Sequence, residues 1–444
     1  METKLTQYFW SFVIVLASVR GAFVYHLGLP SNLTYRVTGV LMACFGLLSF
    51  RTMWVTKADQ ALVLLKKAIK VNALLMGFYT LVSMVAISLD QYAMAYSFAI
   101  FPIIFTLVRY DERLLISIVY AIMLVTVVGV FYFYNMGISG GFDDIADAHA
   151  KLRDELEYAK IGENLLPAGY QGSNHDSANI LVMCGVLFLS KSILSQGLIK
   201  YINLAIYFLV LYAVLLTGSA ANTIVMLTVS AFCLLLYTKK NPYLITFIAF
   251  CMLLFLPTVL DFLADKTYFF EKASYDQSEL EGGGIFNSLD INSILASFHA
   301  ILFGFGNILE VPMIYSEIAF VKNLVGIGLI PFLVLMSICF SPLYYIYIFR
   351  KKVKIQERVL KYHNPSFLTA KSIKTSRAYQ LRLIIIAMPA FAGTMTLLHY
   401  GSLFRVTSVG LFCVLLALFF KEYLAINKVR EMQLTAHKLN AFNK

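Results

Sequence analysis

The sequence predicts an all-α fold, a polytopic bundle of transmembrane helices. Of its 444 residues, 59% are hydrophobic and only 14% are charged, and the mean hydropathy is +0.75. A soluble domain is about 45–50% apolar and about 25% charged, so a soluble protein of this size could not cover so much apolar surface. We therefore expect residues 1–444 to form a single integral membrane domain.

Twelve apolar stretches are long enough to cross a hydrocarbon core of about 30 Å, which needs about 20 helical residues. The first stretch lacks a small-residue cleavage site, so we expect a membrane helix there and not a removed signal peptide. The run from Met313 to Phe349 is too long for one upright helix, and Pro331 and Pro342 predict a kink or a break. The stretches are residues 8–28, 35–55, 70–89, 92–109, 113–135, 176–195, 200–217, 219–238, 242–262, 316–340, 380–399 and 404–424.

The distribution of Lys and Arg predicts the orientation of the bundle. With twelve helices, 27 of the 36 basic residues fall in the N-terminus, the even-numbered connections and the C-terminal tail. Cytoplasmic loops carry such an excess, so both termini and the basic loop 350–379 are expected in the cytoplasm. The same loops account for the net charge of +11, and we expect no nucleic-acid partner.

Two long loops, residues 136–175 and 263–315, are expected on the outer, periplasmic side. Counted through the helix starts that follow them, they hold 17 of the 25 acidic residues. An amphipathic helix pattern lies near Ile145–Ile161, and residues 294–306 are apolar but too short to span. Loops of this length are uncommon unless they are functional or disordered, which predicts an outward-facing function.

Signatures of soluble enzymes and of metal sites are missing from the sequence. It contains no GxxxxGK[ST], HExxH, GxSxG or CxxC motif. The seven histidines never occur at i, i+4, and no pair of the six cysteines has zinc-like spacing. We expect no metal centre and no cofactor.

Polar residues instead cluster at the predicted outer ends of the helices. An ionisable group at membrane depth is costly and tends to face the bundle interior, although residues at helix ends also snorkel to the interface. The tight turn Thr217-Gly218-Ser219 has a plain structural alternative, because small residues let helices pack closely. The clustered residues are Arg20, His26, Arg36, His175, Asp176, Ser219, Glu317, Lys322, His399 and Arg405.

Five motifs in this arrangement resemble those of a known family. NHDSANIL (174–181) stands at a helix start after the first long loop, and TGSAANTIVML (217–227) turns a helical hairpin. The second long loop carries FGFGN and is followed by YSEIAFVKNLVGIG, and the chain closes with LLHYGSLFRVTSVG. Together they resemble the Wzy-type O-antigen and capsular polysaccharide polymerases of the bacterial inner membrane.

The resemblance implies a multi-pass inner-membrane enzyme that joins undecaprenyl-diphosphate-linked oligosaccharide repeats on the periplasmic face. Its partners would be those lipid-linked sugars, the bilayer, and the chain-length regulator and flippase of the same pathway. In the family the tight turn often reads Thr-Gly-Ser-Arg, whereas Ala220 stands in the Arg position here. Related ligases place a His near the end of the second loop, where this chain has Ser316 and Glu317, which favours a polymerase.

The residues themselves fit this chemistry. A diphosphate leaving group needs cations, which Arg20, Arg36, Lys322 and Arg405 supply. An acceptor hydroxyl needs a general base, for which Glu317, Asp176 and His399 are candidates. Ser219 and His175 are candidate substrate-binding residues. Two other functions stay open: an O-antigen ligase that transfers polymer to lipid A core, and a flippase or secondary transporter, although transporters usually have short loops and charges near the midplane.

Overall fold

The computed structural model describes residues 4–55, 62–86, 100–136, 167–171, 173–238, 329–363, 370–396 and 406–442. These residues form thirteen α-helices and no strand, which confirms the all-α prediction. The helices are α1 (Lys4–Ser18), α2 (Arg20–Leu27), α3 (Ser31–Val55), α4 (Val63–Ala86), α5 (Ile103–Leu107), α6 (Glu112–Asn135), α7 (Asn174–Leu194), α8 (Leu198–Leu216), α9 (Ala220–Thr238), α10 (Leu329–Cys339), α11 (Ser341–His363), α12 (Ala370–Met395) and α13 (Val406–Phe442).

Six of these helices, α3, α6, α7, α8, α12 and α13, are long and apolar enough to cross a membrane. The bent pairs α1–α2 and α10–α11 raise that number to eight if each pair is one span. Large apolar side chains such as Leu74 and Leu198 are exposed on the outside of the bundle, as expected where lipid is the solvent. The protein is a helical membrane protein, and the predicted span 242–262 lies outside the described residues.

Helix α7 is the centre of the bundle. Every residue from Asp176 to Ser190 is buried, and α7 contacts α6, α8, α9, α12 and α13. A helix that is apolar on all sides has to be surrounded by protein or lipid. Asp176, Ser177 and Asn179 near its beginning are therefore enclosed by protein and do not face lipid.

The first predicted span is not one helix, because α1 ends at Ser18 and α2 leaves it at 71°. The Ala22 N–H bonds to the Val19 carbonyl at 3.0 Å, one residue short of its α-helical partner, Ser18. The Gln171 Nε2 donates to the Ser18 carbonyl at 2.6 Å instead. An unsatisfied backbone group at membrane depth costs several kcal/mol, so this distant amide stabilises the break.

The second bend lies where the prolines predict it. Helices α10 and α11 meet at 58°, and Pro342 is the second residue of α11, where a missing N–H removes no helical hydrogen bond. The basic segment 350–379 is more helical than a loop, since α11 continues to His363 and α12 begins at Ala370. No Gly or Pro separates Pro342 from Pro365, so nothing ends α11 earlier.

Of the two long loops, only the first has described helices on both sides of it. Helix α6 ends at Asn135 and α7 begins at Asn174, which agrees with the predicted bounds of the first loop. Residues 137–166, with the expected amphipathic helix, and the whole second loop lie outside the described residues.

Candidate functional site

Polar side chains from separate helices meet at one end of the bundle. Helix α7 begins there, with Ser173 as its N-cap: the Ser173 side chain accepts a hydrogen bond from the Asp176 N–H at 3.2 Å. Serine is among the preferred capping residues. Asp176 is only 2% exposed and lies in the first turn, where the positive end of the helix dipole favours a carboxylate.

The start of α7 is joined to the turn between α8 and α9. The His175 Nδ1 and the Ser219 Oγ are 3.0 Å apart and hydrogen-bonded. The Asn222 Nδ2 also donates to the Ser219 Oγ, at 3.0 Å, and the Asn174 Nδ2 donates to the Thr217 carbonyl at 2.9 Å. The motifs NHDSANIL and TGSAANTIVML therefore belong to one hydrogen-bonded cluster.

Two members of this cluster, Asn174 and Asn222, are absent from the candidate residues of the sequence analysis. Both lie inside the motifs that drew attention to His175 and Ser219. An amide both donates and accepts hydrogen bonds. An asparagine at a helix end beside His175 or Ser219 was therefore the signal that could have identified Asn174 and Asn222.

The segment 167–171, at the end of the first long loop, inserts between α2 and α6. Three glycines make room for it. A Cβ added to Gly21 would lie 2.0 Å from the Tyr170 carbonyl oxygen, and one added to Gly129 would lie 2.6 Å from the Tyr170 ring. Gly169 has a φ of +60° and packs its backbone against α6. Only glycine adopts that conformation without strain while allowing so close an approach.

The inserted segment is hydrogen-bonded to two helices, α1 and α7. The Gln171 amide reaches the break after α1, and the Ser177 hydroxyl of α7 donates to the Ala168 carbonyl. The segment thus fixes the end of α1 and the start of α7 relative to each other.

Aromatic rings surround Tyr170 in this segment. The Tyr170 hydroxyl and the His26 Nε2 form a hydrogen bond of 2.7 Å. The rings of Phe133, Tyr25 and His26 lie 5.3–6.2 Å from the Tyr170 ring, centroid to centroid. Burial, with a contribution from Tyr132, raises the pKa of the Tyr170 phenol above its ordinary value of 10, so the group is protonated at neutral pH.

Arg20, the first residue of α2, is a buried cation at this end. It is only 7% exposed, and its guanidinium carbon lies 4.7 Å from the centroid of the Tyr35 ring. A cation over an aromatic face is stabilised by the ring quadrupole. The structure therefore places Arg20 inside the bundle, whereas Arg36, one residue beyond Tyr35, is exposed on α3.

The end of α12 reaches the same region. The Thr396 hydroxyl donates to the Asn179 Oδ1 of α7 at 2.7 Å, and both residues are buried. Thr407 and Ser408, at the start of α13, are also buried. The other predicted site residues, Glu317, Lys322, His399 and Arg405, lie outside the described residues.

In the described part of the chain, no group of three or more His, Cys, Asp and Glu side chains is arranged to hold a metal ion. The arrangement offers a buried guanidinium, a buried carboxylate, an imidazole held by a serine, and a set of tyrosines. No protein-family model matches the sequence, and a comparison with curated proteins finds no match.

Proposed function

We propose that this protein is a membrane glycosyltransferase of the bacterial inner membrane. It polymerises undecaprenyl-diphosphate-linked oligosaccharide repeats into an O-antigen, capsular polysaccharide or exopolysaccharide. The observation that carries the proposal is the burial of a cation, Arg20, and a carboxylate, Asp176, with hydrogen-bonding and aromatic side chains at one end of an apolar bundle. Intramembrane ionisable residues are rare and mark functional sites.

The proposal includes twelve transmembrane helices, cytoplasmic termini and a periplasmic site. Two observations support the orientation. The α8–α9 turn and the start of α7 share the end of the bundle that carries the site, whereas Lys191 and Lys200 lie at the opposite end, around the α7–α8 connection. Basic residues favour the cytoplasmic side. The loops 136–175 and 263–315 then belong to the periplasm.

The reaction requires one base and several cations. The acceptor hydroxyl oxygen of a new repeat attacks the anomeric carbon of the growing chain, the bond from that carbon to the diphosphate breaks, and undecaprenyl diphosphate leaves with the electron pair. Asp176, Glu317 or His399 accepts the hydroxyl proton. Arg20 stabilises the charge on the leaving diphosphate, since Arg remains protonated when buried and donates two parallel hydrogen bonds.

The remaining candidates complete the binding site. Arg36, Lys322 and Arg405 add charge for the second diphosphate, and His175 with Ser219 contacts the substrate. The tyrosines around Tyr170 provide flat faces with hydroxyl groups at their edges, which suits sugar rings. The lipid tails enter sideways between helices, a path that a membrane bundle offers.

A deletion strain tests the function. We expect it to accumulate single repeats on undecaprenyl diphosphate in the periplasmic leaflet, and the complementing gene to restore the polymer ladder. Accumulation of lipid-linked polymer would show a ligase instead. Single repeats confined to the cytoplasmic leaflet would show a flippase, and an unchanged lipid-linked pool would contradict all three functions.

Glu317 tests the choice of base. Glu317→Gln keeps size and hydrogen bonding but removes basicity, so we expect normal membrane levels and polymerisation lowered by about 10²-fold or more. Glu317→Asp should retain part of the activity because it keeps the charge. An unchanged ladder for Glu317→Gln would refute this assignment and leave Asp176 and His399.

A further inference from the structure

A polar cavity lies at the end of the bundle opposite the candidate site, between α6, α7, α12 and α13. Its volume is about 220 Å³, far more than the roughly 10–15 Å³ that a cavity needs to hold one water. That volume exceeds what a single ion needs. The cavity is separate from the candidate active site, since it lies around Lys191 near the end of α7 and not around Asp176 at its start.

The charged residues of this cavity carry an excess of positive charge. Lys191 pairs with Glu112 at 3.1 Å, and Arg382 pairs with Glu422. Lys421 adds a third cation, and its ammonium donates to the Tyr110 carbonyl, a neutral acceptor. Three cations therefore face two carboxylates among the cavity-lining residues.

The same cavity is apolar one turn deeper in the bundle. Leu187 precedes Lys191 by four residues on α7, Ile386 follows Arg382 by four on α12, and Leu418 precedes Lys421 on α13. At this end, α7 and α13 run from the middle of the bundle toward its surface, and α12 runs from the surface toward the middle. All three apolar side chains therefore lie closer to the middle of the membrane than the charged residues do. Leu194 lies on the opposite side of Lys191, and the rest of the lining is amphipathic along the membrane normal.

We propose that this cavity binds the headgroup of an anionic glycerophospholipid, with its phosphate beside Lys421 and Arg382 and its first methylenes against Leu187 and Leu418. Basic pockets between helices at the cytoplasmic surface are typical sites for such headgroups. Helix α11 packs against α12 and α13, and its Arg350, Lys351, Lys352 and Lys354 are exposed. These residues add to the positive potential that attracts anionic lipid.

Native mass spectrometry of the full-length protein with phosphatidylglycerol or phosphatidylcholine tests the site. Each cation near the surface contributes about 1 kcal/mol, which is about a five-fold change in the dissociation constant. We expect Lys421→Gln to weaken phosphatidylglycerol binding by about that factor. The matched control is Lys200→Gln, which removes the same charge at the same end of the bundle from a lysine that lies over Tyr201 and Tyr237.

Ser195→Asp is the second variant, because it adds a negative charge to the lining and should lower binding similarly even if Lys421→Gln fails to fold. Inorganic phosphate should not displace the lipid, since it lacks the apolar part. The proposal is overturned if phosphatidylcholine binds equally well, if Lys200→Gln has the same effect as Lys421→Gln, if Ser195→Asp binds as the unaltered protein does, or if inorganic phosphate competes.

Discussion

The two ends of the bundle use polar side chains in different ways. At the end with the candidate site, buried and half-buried side chains form hydrogen bonds, such as His175 with Ser219 and Gln171 with the Ser18 carbonyl. At the other end, partly exposed side chains form ion pairs, with Glu112 52% exposed and Lys191 26% exposed. Buried hydrogen bonds fix geometry and are expensive to break, whereas exposed ion pairs contribute little. The positions of the side chains are therefore fixed more firmly at the end that carries the candidate site.

Arg20 should show the largest effect. If it stabilises the leaving diphosphate, Arg20→Gln should lower polymerisation by about 10²–10³-fold, the usual loss when one donor to a developing charge is removed. Arg20→Lys should restore part of the activity. The measurement is polymer ladder length in the complemented deletion strain, with membrane levels checked by immunoblot. Arg51→Gln is the comparison, since Arg51 is exposed near the other end of α3 and has no part in the proposed site; an equal loss there would contradict a special role for Arg20.

The inserted segment 167–171 should be the next most sensitive feature. Gly21→Ala places a methyl group against the Tyr170 carbonyl, so the segment or α2 has to move. We expect overpacking to destabilise the protein by about 1–3 kcal/mol and activity to fall at least about ten-fold. Apparent Tm in detergent and ladder length are the measurements.

Gly77→Ala is the control for that glycine, because a Cβ there meets nothing within 4 Å. It should leave activity unchanged. If Gly21→Ala and Gly77→Ala give the same apparent Tm and the same ladder length, the close approach of Tyr170 to Gly21 does not matter for activity.

Ser219→Ala should produce a moderate effect. It removes the shared partner of His175 and Asn222, and a buried polar group left without its partner costs about 1–3 kcal/mol. We expect a lower apparent Tm and a shorter polymer ladder. Ser117→Ala removes an exposed hydroxyl that bonds only within its own helix, to the Arg113 carbonyl, and should change neither quantity.

The ion pair at the far end should show the smallest effect. Glu112→Gln breaks the contact with Lys191, and an exposed pair contributes less than about 1 kcal/mol. We expect an apparent Tm close to that of the unaltered protein and a normal ladder. A loss as large as that of Ser219→Ala would remove the distinction between the two ends.

The sequence predicted the parts of this arrangement that depend on local pattern. Apolar length identified the spans α3, α6, α7, α8, α12 and α13, and Pro342 identified the bend before α11. The motifs around His175 and Ser219 were singled out separately, and the structure brings them into contact.

Contacts between distant residues could not be predicted in this way. The Thr396–Asn179 bond joins residues 217 positions apart, and the Gln171 amide reaches Ser18 across 153. Near the break at Val19, the sequence departs from an apolar run only at Arg20 and Gly21, which is too little to predict a break. Its cause lies in a segment that the apolar pattern assigned to a loop.

The break between α1 and α2 also has a consequence for biogenesis. The Ser18 carbonyl depends on an amide that the ribosome adds 153 residues later. Until then, a bent first span would expose that carbonyl to lipid, at a cost of several kcal/mol. We therefore expect the nascent chain to insert residues 4–27 as one straight helix and to bend it only after Gln171 has been synthesised, so that the N-terminal span reaches its final shape after much of the bundle has entered the membrane.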